Sequence, residues 1–160
     1  MAELRQNFER LGFAEVKTYL NSGNVIFSST ETNLEALAIQ IEDMIHRQFG
    51  FDIPVFVTTA EALTDILRHA PNWWGTENKE VYDNLIFILP PTTFAEVWNE
   101  IGAPKEGLEQ IQNYKNAIFW SFNRKTYQKT NWWPRTASST VSRSLTIRTA
   151  NTIRKIAALS

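Results

Sequence analysis

The spacing of apolar residues along the first part of the chain alternates between helical and strand-like periods. Residues 2–11 carry Leu4, Phe8 and Leu11 on one helical face and stop at Gly12. Later runs rich in Val, Ile, Tyr and Phe are typical of strands. The predicted elements of this part are a helix at 2–11, strands at 15–20 and 24–29, a helix at 33–49 and a strand at 53–57.

The second part of the chain repeats this alternation. The continuous apolar run DNLIFIL is typical of a central strand, and Gly102 followed by Pro104 ends the helix that comes after it. The predicted elements are a helix at 60–69, a strand at 84–89, a helix beginning at Thr93, strands at 108–114 and 117–122, an irregular stretch at 123–143 and a final helix at 145–159.

This element order predicts an α+β fold made of two ferredoxin-like halves, residues 1–58 and 59–160, packed as one compact body. A ferredoxin-like unit has the order β-α-β-β-α-β. The first half matches this order with its opening strand missing, and the second half matches it with its closing strand missing.

The tetrapeptide Asn21-Ser22-Gly23-Asn24 lies between two predicted strands. Asn and Gly supply the left-handed backbone that a tight turn needs. A phosphate-binding loop normally leads from a strand into the N-terminus of a helix. Because this segment leads into another strand, we predict a turn, whose tip could also line a site.

Charge is divided unevenly along a chain whose formal net charge is only −1. Up to Glu109 there are 7 Lys and Arg against 17 Asp and Glu, whereas residues 110–160 hold 9 Lys and Arg and no acidic residue. Such a division indicates an interaction with a polyanion. The alternative is that the basic third packs beside the acidic part and pairs with it.

The absence of cysteine excludes disulfides, thiolate nucleophiles and cysteine-based metal sites, and it suits a reducing compartment. No stretch approaches the roughly 18 apolar residues of a membrane span, and the first residues do not resemble a signal peptide. We therefore expect a cytoplasmic protein that does not insert into membranes.

No catalytic, cofactor or metal-binding motif stands out. His46 and His69 each lie near a helix end without a second ligand at a metal-binding spacing, and Glu42 and Asp43 point apart because they are neighbours on a helix. No serine lies in a nucleophile elbow. We expect no cofactor and no metal; whether the chain is an enzyme stays open, and the lack of a motif favours a non-enzyme.

The residues that best fit anion or nucleic-acid binding are cations and tryptophans of the last third. Exposed aromatic residues among cations grip single-stranded nucleic acids, although a tryptophan doublet can instead fold back onto the core. In the predicted final helix, three of the candidates share one face. The candidate site residues are Arg124, Lys125, Trp132, Trp133, Arg143, Arg148, Thr152 and Lys155.

Both ends of the chain resemble a bacterial family, the domain-of-unknown-function 1697 family. The resemblance rests on MAELRQNFERLGFAEVKTYLNSGNVIFSS, in which a helix, a Gly-Phe turn, a strand and an NSGNV turn occur together, and on the closing LTIRTANTIRKIAAL. It implies two ferredoxin-like halves in one α/β body and no established activity.

The sequence departs from the family's pattern in two places. Family members usually begin with a strand and a glycine-rich turn of the kind ALLRGINVGG, so the resemblance also implies that the first half lacks its opening strand. The family's stretch T-x-R-N-W-N-T is matched at Thr146, Arg148, Asn151 and Thr152 but not at 149–150. The family's Asn-Trp pair is therefore not present at these positions.

The sequence leaves three functions open. The first is binding of an anionic partner such as nucleic acid through the basic last third. The second is a small-ligand-binding protein or enzyme with a pocket between the two halves and Arg148 as its anion clamp. The third is a structural or oligomerisation module, such as a dimer, that uses an open sheet edge as its interface.

Overall fold

The protein has an α+β fold, in a computed structural model that describes residues 2–20 and 23–160. The helices are α1 (Ala2–Arg10), α2 (Leu34–Phe49), α3 (Ala60–Arg68), α4 (Phe94–Ile101), α5 (Trp132–Ser138) and α6 (Ala150–Leu159). The strands are β1 (Ala14–Tyr19), β2 (Asn24–Ser28), β3 (Val81–Ile88), β4 (Glu109–Tyr114), β5 (Ala117–Asn123) and β6 (Leu145–Thr149). Short 3₁₀ helices lie at Tyr127–Lys129 and Ser142–Ser144. The predicted α+β class is confirmed.

The chain divides into two units. Unit 1 comprises Met1–Ala60 and Lys155–Ser160, and unit 2 comprises Glu61–Arg154. The division predicted from the sequence, at residues 58 and 59, stays a prediction. It differs from these units in α6, which it placed wholly in the second half.

Unit 1 is built on a two-stranded antiparallel sheet of β1 and β2. The predicted turn between them falls on Asn21 and Ser22, which lie outside the described residues, while Tyr19 and Asn24 on either side are paired. The core is aromatic and aliphatic, and the rings of Phe13 and Phe27 stack at 4.5 Å. Helix α2 contributes the buried residues Leu37, Ile41, Met44 and Ile45, as its apolar stripe predicts.

The strand predicted at residues 53–57 is absent from the described fold, so this prediction was wrong. The backbone N–H of Val55 instead donates to the Glu42 carboxylate at 3.0 Å. Val55 and Val57 still pack against the unit 1 core. The β-branched composition fits a strand, but a strand also requires a neighbour with which its backbone can pair.

Unit 2 contains a complete ferredoxin-like order, β3-α4-β4-β5-α5-β6, preceded by α3 and followed by α6. Its four strands form an antiparallel sheet in the order β4-β5-β3-β6. The first strand of the motif, β3, therefore lies at the centre and pairs on both sides.

The closing strand, predicted to be missing from this half, is β6. It occupies residues that were predicted to start the final helix, so that boundary was wrong. The stretch Leu-Thr-Ile-Arg-Thr alternates as a strand does, and Ile147 pairs opposite Ile86 of β3. Helix α6 begins only at Ala150, where the Thr149 hydroxyl accepts the Thr152 N–H at 3.3 Å.

Both faces of the unit 2 sheet are covered. On one face, α4 and α5 bring Val97, Ile101 and Trp132 against the side chains of β3 and β5. On the other face, the Trp74 ring packs edge-on against Phe119 at 5.1 Å, and α3 bonds to the end of β4. The stretch 123–143, predicted to be irregular, contains α5 and the first 3₁₀ helix, and Trp132 of α5 is buried in this core.

Candidate functional site

A cluster of aromatic side chains lies where β3 begins and β5 ends, on the side of the sheet that α5 covers. Tyr82 and Phe122 face each other across the two strands with ring centroids 5.6 Å apart. The Trp133 ring stands edge-on against Phe122 at 5.6 Å and against Tyr127 at 4.8 Å. We call Tyr82, Phe122, Tyr127 and Trp133 the aromatic patch. Phe122 is buried, whereas Tyr82 is 39% and Trp133 44% exposed.

Thr130 fixes the two rings contributed by the segment after β5. Its hydroxyl donates to the Tyr127 carbonyl at 2.7 Å and accepts the N–H of Trp133 at 3.2 Å. The 3₁₀ turn and the first turn of α5 are thereby joined, which brings the Tyr127 and Trp133 rings into contact.

The backbone at the start of α5 donates hydrogen bonds to the carboxylate of Glu109 on β4. This carboxylate, only 6% exposed, accepts the N–H groups of Asn131 at 2.6 Å and of Trp132 at 3.3 Å. The Asn131 side chain donates to the carbonyls at the end of α4, at 2.8 Å. A helix N-terminus carries unpaired N–H groups and a partial positive charge, so a buried carboxylate is a favourable partner there.

Three cations lie in the chain segment 124–129, which also contains Tyr127 of the aromatic patch. The Arg124 guanidinium lies 4.1 Å from the centre of the Tyr82 ring, within the range of a cation–π interaction. Arg124, Lys125 and Lys129 are all exposed. Among the residues that the structure describes, none of the three has a carboxylate within ion-pair distance.

Three of the predicted site residues come together here, and a fourth is nearby but inaccessible. Arg124, Lys125 and Trp133 belong to the patch and its cations. Trp132 is 0% exposed and donates its indole N–H to the Gly102 carbonyl at 3.1 Å. Its ring therefore offers no face to a ligand, because the helical turn that points Trp133 outward points Trp132 inward.

The remaining predicted residues do not form the helical face expected of them. Arg148 lies on β6, where its guanidinium is half-buried and donates to the Ile147 carbonyl at 2.9 Å. Burial lowers the pKa of Arg148. Arg143 lies in the second 3₁₀ helix, and Thr152 and Lys155 lie on α6, with Lys155 in unit 1.

Sequence reasoning missed Tyr82. The predicted strand began at residue 84, and the alternation that places Tyr82 on the same face as Phe122 requires both the earlier start and the β3–β5 register. The sequence itself contains no local signal for that register.

A cluster of titratable side chains joins α3 to the β4–β5 turn. The Asp65 carboxylate accepts from the Tyr114 hydroxyl at 2.9 Å and from the Lys115 ammonium at 2.8 Å, and the His69 ring stacks on Tyr114 at 4.0 Å. The bond from Lys115, followed by that from Tyr114, holds the pKa of Asp65 below its ordinary value. The same carboxylate raises the pKa of Lys115.

Within 2–20 and 23–160, no three His, Cys, Asp or Glu side chains lie close enough together to hold a metal ion. No described helix is both long and apolar enough to cross a bilayer.

Two open depressions flank α4, one of about 360 Å³ beside Phe94 and Trp98 and one of about 430 Å³ beside Glu96 and Glu100.

The sequence matches the family described as "Protein of unknown function (DUF1697)" over residues 1–119. The chain belongs to this family. The DUF1697 match includes Tyr82 and Glu109, whereas Arg124, Lys125 and Trp133 lie beyond it. The predicted family resemblance is confirmed.

A solved structure supports the fold of this DUF1697 member. The structure of conserved bacterial protein SP0830 from Streptococcus pneumoniae is similar with a TM-score of 0.82 and 26% sequence identity, over 99% of this chain and 87% of that chain. No curated protein matches the sequence significantly.

Proposed function

We propose that the aromatic patch and its three cations bind single-stranded nucleic acid. The observation that carries the proposal is the exposure of the Trp133 and Tyr82 rings, with Arg124 lying over Tyr82 and the exposed Lys125 and Lys129 in the same chain segment. Exposed rings stack on unpaired bases of any sequence, and cations contact the phosphates that link those bases. The bases of a duplex are already stacked on each other, so the single strand is the form that suits the patch.

The position of the patch limits where a single strand of nucleic acid can bind. Helices α4 and α5 cover one face of the unit 2 sheet and Trp74 packs on Phe119 of the other, so bases cannot spread across the sheet as they do on an RNA-recognition motif. Binding is confined to the rim formed by the start of β3, the end of β5 and the first turn of α5. Such a rim accommodates a few nucleotides, and we expect weak affinity that depends strongly on salt.

Two further points are part of this proposal. Arg143, Thr152 and Lys155, predicted from the sequence, would act as additional contacts outside the rim and not as one helical face.

The absence of cysteine favours a reducing compartment, and we propose the cytoplasm as the location of this binding. The hypotheses of a ligand pocket with Arg148 and of an oligomerisation module stay predictions.

The test is a fluorescence-polarisation titration of a labelled oligothymidine at several salt concentrations. The triple variant Arg124→Gln, Lys125→Gln, Lys129→Gln is compared with a control of equal charge change in unit 1, Arg5→Gln, Lys17→Gln, Arg47→Gln. Each lost phosphate contact on a single strand flattens the slope of log K against log salt by about 0.7, so we expect a flattening of about 2 for the rim variant only.

Three results would refute the proposal. The wild type shows no binding even at low salt, the rim variant binds like the wild type, or the control variant loses as much affinity as the rim variant. The last result would mean that net charge, and not this surface, attracts the oligonucleotide.

A further inference from the structure

Unit 2 carries charges of opposite sign on two separate surfaces. Arg124, Lys125 and Lys129 are exposed in the segment that follows β5, and Glu96 and Glu100 are exposed on α4. Within residues 2–20 and 23–160, none of these five side chains has an opposite charge within ion-pair distance. A single copy therefore folds with both charge groups facing solvent.

The acidic surface on α4 also exposes aromatic side chains. Phe94 and Trp98 are four residues apart, so they form one row along the helix, and their rings lie 5.9 Å apart beside the depression of about 360 Å³. Glu96 and Glu100 form a second row and line the depression of about 430 Å³. We call these four residues the α4 face. Exposed apolar surface bordered by polar side chains is typical of a protein interaction site.

The α4 face and the rim lie on the same side of the unit 2 sheet. Val97 and Ile101 of α4 share one core with Trp132 of α5, and the Asn131 side chain before α5 donates to the Ile101 carbonyl at 2.8 Å. The rim includes the first turn of this same α5. A two-fold axis passing between the two surfaces would place each surface against its counterpart in a second copy, so that two equal contacts close a dimer.

We propose that the α4 face binds the rim of a second copy of this chain, in a two-fold symmetric dimer. The three cations of segment 124–129 pair with Glu96 and Glu100, and the exposed Trp133 packs beside Phe94 and Trp98 of the other copy. Complementary charge selects this partner surface, because rim against rim or α4 against α4 would bring like charges together. Exposed ion pairs contribute little individually, so the dimer is weak and weakens further with salt.

Dimer formation and oligonucleotide binding would use the same rim cations and therefore exclude each other. The dimer does not rest on the proposed nucleic-acid function, since its two surfaces complete each other without a ligand. We expect a dimer Kd of about 0.1 mM or weaker. Oligonucleotide titrations at low micromolar protein therefore report the monomer.

Sedimentation velocity of the full chain without nucleic acid tests the dimer. At about 0.5 mM protein, the wild type should be partly dimeric in about 50 mM salt and monomeric in about 500 mM salt. One charge-reversal variant is Glu96→Lys, Glu100→Lys, and the other is Arg124→Glu, Lys125→Glu, Lys129→Glu. Each variant alone places like charges opposite each other in both contacts, so we expect its dimer Kd to rise at least about tenfold.

A mixture of the two variants is the decisive measurement. One variant is positive on both surfaces and the other negative on both, so every contact of the mixed dimer joins opposite charges. We expect the two to associate, followed by labelling one of them with fluorescein. The control replaces the α4 variant with Glu61→Lys, Glu77→Lys, which makes the same charge change at exposed positions outside α4. Its mixture with the rim variant keeps one repulsive contact and should associate at least about tenfold more weakly.

Three results would overturn the proposal. They are a wild type that stays monomeric in low salt, a pair of charge-reversal variants that do not associate when mixed, and a control mixture that associates as strongly as the test mixture. The last result would mean that net charge alone drives association. If a reversal variant fails to fold, Glu96→Gln, Glu100→Gln replaces it, and an unchanged dimer Kd for that variant contradicts the assignment equally.

Discussion

The buried carboxylate of Glu109 accepts a hydrogen bond from the indole nitrogen of Trp120 at 3.0 Å. The two residues lie on neighbouring strands, β4 and β5, and both are almost fully buried. The same carboxylate accepts the N–H of Lys105 at 2.9 Å and the two N–H groups at the start of α5. One side chain therefore connects the sheet, the loop before β4 and the helix that bears Trp133.

Replacing Glu109 should destabilise unit 2 as a whole. In Glu109→Gln an NH₂ group replaces one carboxylate oxygen, so at least one buried N–H donor faces another donor. We expect a loss of about 1–3 kcal/mol, the cost of an unsatisfied buried donor, and a larger loss for Glu109→Ala. Chemical denaturation measures both. Glu106→Gln, an exposed neighbour in the same loop, should change the unfolding free energy by less than about 0.5 kcal/mol; equal effects at both positions would contradict this assignment.

Gly75 should not tolerate alanine, for two separable reasons. Its φ is +73°, which disfavours any side chain, and a Cβ there would clash with the Arg154 guanidinium, which donates to the Gly75 carbonyl at 2.8 Å. The arginine can move, but it then loses that bond and its place over the Trp74 ring. We expect Gly75→Ala to cost about 1–3 kcal/mol in thermal or chemical unfolding.

Two controls separate these reasons. Gly12 has a φ of +95° with nothing within 4 Å of a built Cβ, so Gly12→Ala should show the backbone cost alone. In an Arg154→Ala background the clash at Gly75 disappears, and the two substitutions should be non-additive. Strict additivity would show that the guanidinium contact contributes nothing.

The Asp65 cluster should make stability depend on pH at the acidic end. The hydrogen bonds from Lys115 and Tyr114 depress the pKa of Asp65 in the folded state, so its contribution is present above the pKa of the unfolded chain and is lost as pH falls through the folded value. Asp65→Asn should lower Tm at neutral pH, and the difference should vanish in strong acid. The exposed Glu77→Gln serves as control, and a Tm difference that persists in strong acid would contradict the ionic origin.

The pair of Asp65 and Lys115 should also make stability depend on pH at the alkaline end, where stability falls as pH rises. Because Asp65 raises the pKa of Lys115, the stabilisation is complete below the unfolded pKa of the lysine and is lost as pH rises through the folded value. Both groups are substantially exposed, so added salt should weaken the effect at either end.

The pattern of apolar and polar residues predicted most strands, because the alternation typical of a strand is visible within a few consecutive residues. It failed at 53–57 and at 145–149, and in both cases the decisive factor was the presence of a partner. Residues 53–57 have a strand-like composition without a described ladder, whereas residues 145–149 become β6 because β3 has a second edge to pair. A helical reading of Arg148 was plausible locally and was overruled by this tertiary pairing, whereas Thr152 lies on α6 as predicted.

The candidate site was predictable only in part for the same reason. Cations after Glu109 and the Trp132-Trp133 doublet are visible in the sequence, but which tryptophan points outward depends on how Glu109 and Thr130 set the start of α5. Tyr82 joins the patch through the β3–β5 register, which brings together residues 40 positions apart.

Trp133 offers the most direct test of stacking at the rim. Trp133→Leu keeps an apolar side chain over Phe122 but removes the aromatic face, and we expect affinity for oligothymidine to fall about 5- to 150-fold, the range for one base–aromatic stack of about 1–3 kcal/mol. The salt slope should stay unchanged, because no phosphate contact is lost. Trp98 is the matched control, since it is 38% exposed and lies on α4, a helix without Lys or Arg. Trp98→Leu should bind as the wild type does. An equal loss for the two tryptophans, or a flattened slope for Trp133→Leu, would mean that the rim does not bind bases by stacking.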